Sequence, residues 1–84
     1  MKNVQIRIIR NDVPAFADTT VDKVYDAFTL ETDEQIPAGF GSWEGHPNPF
    51  PTTINFVDDA GDLCAQVLGM VEDVYVEVVD TEAA

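Results

Sequence analysis

Apolar and polar side chains alternate along five short stretches of the chain. In the first stretch Val4, Ile6 and Ile8 fall on one side of the backbone, with polar residues between them. A period of two is typical of a strand with one buried face, and β-branched residues suit a pleated surface. The pattern predicts strands over residues 4–10, 23–30, 52–57, 63–68 and 74–79.

The second stretch also fits a helix. Val21, Val24 and Phe28 fall at helical spacing, and Thr20 stands where a helix cap would stand. We favour a strand, because the stretch is short and rich in β-branched and aromatic residues. The preceding residues, 15–20, are predicted to form a loop.

A long loop is predicted at residues 36–51, which contain four prolines and three glycines. Neither a helix nor a central strand tolerates so many residues of these two types. The segment nevertheless carries Phe40, Trp43 and Phe50. A loop of this length in a small domain is usually functional or disordered. Its aromatic residues indicate that it packs on the body of the domain or on another molecule.

Residues 58–62 connect the third and fourth predicted strands and carry Asp58, Asp59 and Asp62. The composition predicts a tight hairpin turn, in which Gly61 takes the positive φ that a type I turn with a bulge requires. The aspartates also suggest a cation loop. However, an EF-hand loop closes with Glu at position 12, and that position here is Gly69. A plain hairpin turn is therefore favoured over a metal site.

Together these elements predict an all-β fold. Five short strands, a long second connection, a tight hairpin and a single turn before the last strand suit a small SH3-like five-stranded barrel with a long Pro/Gly-rich loop. The 84 residues are predicted to form one domain, residues 1–84. Residues 80–84 are expected to be a frayed tail.

Charge is distributed unevenly along the chain. There are 16 Asp and Glu residues against 4 Lys and Arg, which gives a net charge of −12. All four bases lie in residues 1–23, which sum to +1, and residues 24–84 sum to −13 without a single Lys or Arg. This balance argues against direct binding of nucleic acid and against an anionic membrane surface. The asymmetry indicates an electrostatic role with a basic partner.

Reactive side chains are few and poorly arranged for catalysis. His46 has no second histidine at the spacing of a zinc site, and Ser42 has no base at nucleophile-elbow spacing. Cys64 lies on a predicted strand and has acidic neighbours. Acidic neighbours raise the pKa of a thiol and so oppose its use as a nucleophile. We therefore expect Cys64 to be a buried structural residue. We therefore predict that the protein is not an enzyme and that it binds neither a metal nor a cofactor. Its single cysteine and lack of a membrane-length apolar run favour the cytoplasm.

Three segments resemble small SH3-like proteins encoded by tailed bacteriophages. They are Lys-Val-Tyr-Asp-Ala at 23–27, Phe-Val-Asp-Asp-Ala-Gly-Asp-Leu-Cys at 56–64 and Tyr-Val-Glu-Val-Val at 75–79. The long loop at 36–51 has no counterpart in that pattern. The resemblance implies an SH3-like fold, a viral origin and action inside an infected cell. Such proteins are largely of unknown activity, so the resemblance assigns no catalytic residue.

The combined features favour a protein that binds and inhibits a basic host protein, such as a polymerase, a repair enzyme or a defence nuclease. Its carboxylates would stand where nucleic-acid phosphates lie, and a buried aromatic side chain would slow dissociation. Alternatively, one or two of Phe40, Trp43 and Phe50 simply close the mouth of the barrel. The candidate partner-binding residues are Asp58, Asp59, Asp62, Glu31, Asp33, Glu34, Trp43 and Phe40.

The alternative function is a structural or assembly module of a virion or larger complex, including self-association into a homo-oligomer. In that case the acidity reflects solubility or a high-salt habitat. A minor accessory to an enzyme is a third hypothesis. Salt-dependent binding of a basic protein separates the first hypothesis from the other two.

Overall fold

Five β-strands make up most of the regular structure of residues 1–79, the part of the chain that the computed structural model describes. They are β1 (Lys2–Ile8), β2 (Val24–Leu30), β3 (Thr53–Val57), β4 (Leu63–Val67) and β5 (Val76–Val79). Two 3₁₀ turns lie at Pro14–Phe16 and Gly41–Trp43, and a single helical turn, α1, spans Leu68–Val71. Within these residues no helix has the length and apolar composition that a membrane crossing requires. The tail predicted at 80–84 lies outside the described residues.

The strands form one antiparallel sheet in the order β4-β3-β2-β1-β5. Its register places core residues side by side, with Ile6 opposite both Tyr25 and the partly buried Val78, and Phe56 opposite both Ala27 and Cys64. The prediction of a mostly β fold with five antiparallel strands is confirmed. In the described part of the chain, however, β4 and β5 do not pair, so the sheet is not closed into the predicted barrel.

The first and last strands differ most from their predicted limits. The first was predicted at 4–10 but ends at Ile8, because the next backbone N–H, that of Ile9, donates to the carbonyl of Tyr75 beyond the regular ladder. The last begins at Val76 instead of residue 74. The N–H of Tyr75 still donates to the carbonyl of Val71, 2.9 Å away, and continues the turn of α1. Residues 24–30 form a strand, and the helical alternative is wrong.

One face of the sheet carries the hydrophobic core. Its buried members include Ile6, Ile8, Tyr25, Ala27, Ile54, Phe56, Cys64 and Val76. Phe16, in the 3₁₀ turn that follows β1, packs over this face of the sheet and covers the core. Its ring stacks on Tyr75 at 5.5 Å and on Phe56 at 6.2 Å between ring centroids. The predicted loop at 15–20 therefore contributes one of the most buried side chains of the domain.

The long loop lies against the opposite face of the sheet. The side-chain amide of Asn48 donates to the carbonyls of Leu30, at 3.3 Å, and Glu31, at 3.2 Å, and so ties the loop to the end of β2. The ring of Phe40 meets the ring of Phe28 edge-on, with centroids 5.9 Å apart. These contacts show that the loop packs on the body of the domain, as one of the two predicted arrangements requires.

Candidate functional site

The acidic candidate residues lie in two groups at opposite ends of β3. Thr53 begins this strand and pairs with Leu30, which Glu31 follows directly. Val57 ends the strand and leads into the hairpin turn at 58–62. The four residue steps between the two ends correspond to about 13 Å of extended chain. The predicted acids therefore form two separate surfaces.

The hairpin turn is built around Asp58. Its carboxylate accepts hydrogen bonds from the backbone N–H groups of Ala60, at 3.0 Å, and Asp62, at 2.9 Å. Gly61 has a φ of +85°, so the predicted positive φ at this position is confirmed. One of the three predicted partner-binding carboxylates in this turn is thus a structural element of it, since an aspartate that caps neighbouring N–H groups stabilises this geometry.

Asp59 is also engaged within the chain. Its carboxylate accepts hydrogen bonds from Lys23 Nζ at 2.6 Å, Thr20 Oγ1 at 2.7 Å and the Tyr25 hydroxyl at 2.9 Å. These bonds, with that from Lys23 the largest contributor, lower the pKa of Asp59 to about 2. The backbone N–H of Asp59 donates to the carbonyl of Asp18. The residue anchors the hairpin turn to the start of β2.

At this end of the sheet Asp18 joins two of the predicted hairpin acids. Carboxylate oxygens of Asp18, Asp58 and Asp62 lie within 4.8 Å of one another, and we call this group the hairpin cluster. Sequence analysis missed Asp18, because only the contact between Asp59 and the chain before β2 brings it to the turn. One oxygen from each carboxylate meets in the cluster, which gives three of the six to eight oxygens that calcium takes, so the geometry indicates concentrated negative charge.

The second acidic group forms a compact turn after β2. Glu34 accepts a hydrogen bond from the backbone N–H of Glu31 at 3.0 Å and forms an ion pair with the N-terminal amine. Glu31 in turn accepts the hydroxyl of Thr52 at 2.6 Å. Asp33 has a φ of +69°, which aspartate tolerates better than most residues, and its N–H donates to the carbonyl of Asn48. This acidic turn is joined directly to the long loop.

An apolar pocket of about 160 Å³ opens between the long loop and the outer face of the sheet. Its lining includes Leu30, Ile36, Phe40, Trp43, Phe50 and Ala65. Trp43 and Phe50 are 53% and 51% exposed, so they form its rim. The structure thus brings Phe40 and Trp43 together in one site. Sequence analysis missed Leu30, Ile36 and Ala65, since their position depends on strand register and loop path.

The cationic side chains are largely paired within the chain. Arg7 forms ion pairs with Asp22 and Glu77, Arg10 pairs with Asp12 at 2.8 Å, and Lys23 pairs with Asp59. The hydrogen bond from Arg10 lowers the pKa of Asp12. Three of the four Lys and Arg residues are consequently neutralised by carboxylates of their own chain.

The thiol of Cys64 is poorly placed to act as a nucleophile. Cys64 is buried, and its thiol donates to the carbonyl of Ala15 at 3.3 Å. Burial, with a smaller contribution from Asp58, raises the pKa of Cys64 to about 11. This agrees with the predicted structural role, although burial contributes more than the acids that the sequence emphasised. His46 is exposed on the long loop, where its carbonyl accepts the N–H of Ile36.

We found no match to the chain among protein-family models, curated proteins or solved structures. The described residues present two candidate surfaces for a partner. One surface is the hairpin cluster, and the other is the apolar pocket with the acidic turn beside it.

Proposed function

We propose that this protein binds a basic surface of another protein, and that its target is a nucleic-acid-binding host protein whose nucleic-acid site it occupies and inhibits. The observation that carries the proposal is the internal pairing of Arg7, Arg10 and Lys23. Because these cations are used within the chain, the remaining carboxylates dominate the surface field. A negative field of this kind speeds encounter with a positive partner and disfavours acidic ones.

We also propose an SH3-like architecture, a bacteriophage origin and action in the cytoplasm of the host cell. The strand order β4-β3-β2-β1-β5, with a single helical turn before β5, supports the relation to SH3-like folds. The resemblance of residues 23–27, 56–64 and 75–79 to small phage proteins supports the origin. A bacteriophage origin is consistent with a protein that inhibits a nucleic-acid-binding protein of the host.

Competitive capture tests this function. The immobilised protein is incubated with bacterial lysate at low salt, with and without an excess of duplex DNA, and then eluted by a salt step. We expect nucleic-acid-binding proteins to be retained, to be displaced by the DNA and to be released by salt, because about 1 M salt shortens the Debye length to about 3 Å. Proteins that stay bound at that salt concentration, or that excess DNA does not displace, would contradict the proposal that the protein mimics nucleic acid.

A pair of charge-matched variants sharpens the test. Asp18→Asn with Asp62→Asn removes two charges from the hairpin cluster, whereas Asp26→Asn with Asp73→Asn removes two charges elsewhere. Asn is tolerated at position 73, where φ is +63°. We expect the hairpin variant to lose more retention than its control. Equal losses would show that only the net charge of the protein matters.

One observation favours the alternative function, an assembly module. Among residues 1–79 the sheet has β4 and β5 at its edges. Val57 and Leu63, which pair at one end of β3 and β4, are 55% and 41% exposed. Unprotected edges pair readily with further strands. Sedimentation at micromolar concentration measures this directly. A concentration-dependent homo-oligomer, together with co-purification with virions, would favour assembly over inhibition.

A further inference from the structure

The apolar pocket has the size of a single side chain. Its volume is about 160 Å³, and a buried apolar cavity of about 150 Å³ is large enough to hold benzene. Its walls come from two sources, with Leu30 and Ala65 on the sheet and Ile36 and Phe40 on the long loop. A phenyl ring or a branched aliphatic side chain fits such a space, whereas a whole strand or helix does not.

The side-chain amide nitrogens of Asn48 and Asn55, both in the lining, donate hydrogen bonds within the chain. The amide of Asn55 donates to the carbonyl of Phe28 at 3.3 Å and to Thr53 Oγ1 at 3.1 Å. Asn48 donates to the end of β2, and its Oδ1 accepts the N–H of Phe50 at 3.1 Å. The pocket therefore presents almost only apolar surface to an occupant. Its occupant must itself be apolar, because a buried polar group without a partner is costly.

The rim of the pocket adds exposed aromatic surface. Trp43 and Phe50 present about half of their area to solvent. Tryptophan in particular is enriched among the side chains that dominate binding energy in protein interfaces. A partner that inserts one side chain into the pocket also covers both rim residues, and this removes further apolar surface from water.

The surroundings of the pocket are acidic. Glu31 follows the lining residue Leu30, and Glu44 follows Trp43. Glu44 is held in place because its carboxylate accepts the N–H of Gly39 at 2.7 Å. The backbone N–H of Asp33 donates a hydrogen bond to the carbonyl of Asn48, which is a lining residue. All three acids are exposed, and residues 24–84 contribute no Lys or Arg to balance them.

We propose that this pocket receives one apolar side chain, aromatic or branched aliphatic, carried by a Lys/Arg-rich segment of the partner protein. The apolar lining selects the inserted side chain, and Glu31, Asp33 and Glu44 select the positive charges on either side of it. The inference deepens the proposed function and rests on it for the basic character of the partner. It adds a specific anchor to an attraction that is otherwise spread over the surface.

Blocked pentapeptides test the two requirements separately. Trp43 is the only tryptophan of the chain, so its fluorescence reports directly on the rim of the pocket. The probes are KKFKK, KKGKK, SSFSS and EEFEE, titrated at low salt. We expect KKFKK to shift the Trp43 emission and to bind about tenfold or more tightly than KKGKK, because the phenyl ring is buried. SSFSS binds more weakly than KKFKK, and EEFEE does not bind.

Two sets of variants locate the binding. Ala65→Leu fills the pocket from β4 and is expected to abolish the advantage of KKFKK over KKGKK. Val57→Leu is its control, because Val57 lies on the same face of the sheet as Ala65 but outside the pocket. Glu31→Gln with Glu44→Gln keeps the hydrogen-bond acceptors but removes two charges, and should weaken KKFKK by about three- to tenfold. The hairpin variant Asp18→Asn with Asp62→Asn should weaken it less.

The possible failures are distinguishable. Equal binding of KKFKK and KKGKK would overturn the inference about the pocket, but it would still agree with a basic partner protein. Equal binding of SSFSS and KKFKK would contradict both the basic segment and the proposed function. A Trp43 shift that depends on protein concentration alone would assign the pocket to a second copy of the chain. Absence of any shift at millimolar peptide overturns the inference, and the lysate capture then decides the proposed function independently.

Discussion

The hydroxyl of Tyr25 donates a 2.9 Å hydrogen bond to Oδ1 of Asp59 and so joins β2 to the hairpin turn. The same hydroxyl accepts the backbone N–H of Thr20 at 2.9 Å. Lys23, which also binds Asp59, lies with its Nζ 4.9 Å from the centre of the Tyr25 ring. Four residues thus fix the hairpin turn against the chain that enters β2, and they determine where the hairpin cluster is presented.

Asp59→Asn should destabilise the fold. The variant loses the ion pair with Lys23 and weakens the bonds from Thr20 and Tyr25, so we expect the Tm at pH 7 to fall by about 5 °C. Asp62→Asn is the matched control, because it removes the same charge from the same turn. It relieves repulsion in the hairpin cluster and should leave the Tm unchanged or higher. Thermal unfolding followed by circular dichroism compares the two, and equal shifts would contradict the anchoring role of Asp59.

The same carboxylate should make stability depend on pH. Since the pKa of Asp59 is about 2 in the folded protein and 3.8 for an ordinary Asp, its stabilising effect is complete above pH 3.8. It is lost as the pH falls through the folded value of about 2. The Tm difference between the natural protein and Asp59→Asn should therefore shrink between pH 4 and pH 2. A difference that stays constant over this range would show that Asp59 does not titrate as described.

Phe16→Ala should have a much larger effect than truncation of an exposed aromatic residue. Phe16 is 1% exposed and packs on Phe56 and Tyr75, so the free energy of unfolding should fall by about 3–5 kcal/mol. Phe50→Ala, at a half-exposed position, should cost about 1 kcal/mol or less. Urea denaturation measures both. A Phe16→Ala variant that is unfolded without urea supports the same conclusion, and equal losses in the two variants would oppose it.

Cys64 should resist thiol reagents in the folded protein. With its pKa at about 11 instead of 9.0, the thiolate fraction at pH 8 is about a hundredfold lower than for an ordinary thiol. Burial under the turn at Ala15 slows access further. We expect slow reaction with Ellman's reagent in buffer and rapid reaction of one thiol in guanidinium chloride. Rapid stoichiometric labelling of the native protein would be inconsistent with this environment.

The strands were predictable because their signal is local. Alternation of apolar residues located all five strands to within two residues at either end, and the Asp/Gly composition of residues 58–62 identified the hairpin. Closure of the sheet was not predictable. Whether β4 and β5 meet depends on the twist and curvature of the whole sheet, which no short stretch of residues encodes.

The candidate site was predictable only in part. Composition identified Phe40 and Trp43 as residues of one loop, but it did not reveal the pocket that they share with Ala65 of β4. The hairpin acids were equally conspicuous in the sequence. Their separate roles arise from partners far away in the chain, namely Lys23 and Tyr25 for Asp59 and Asp18 for Asp62. Local patterns contain no information about such pairs.

The pairing of β5 with β1 has a consequence for the synthesis of the protein. Val76 lies opposite Ile8 and Val78 opposite Ile6, so strands near the two ends of the described chain complete the core together. A nascent chain cannot form this part of the core until β5 has left the ribosome. Contacts between residues so distant in sequence also slow folding relative to helical proteins of this size. The domain therefore completes its core only after β5 has emerged, and its newly made strands stay exposed to chaperones and proteases until then.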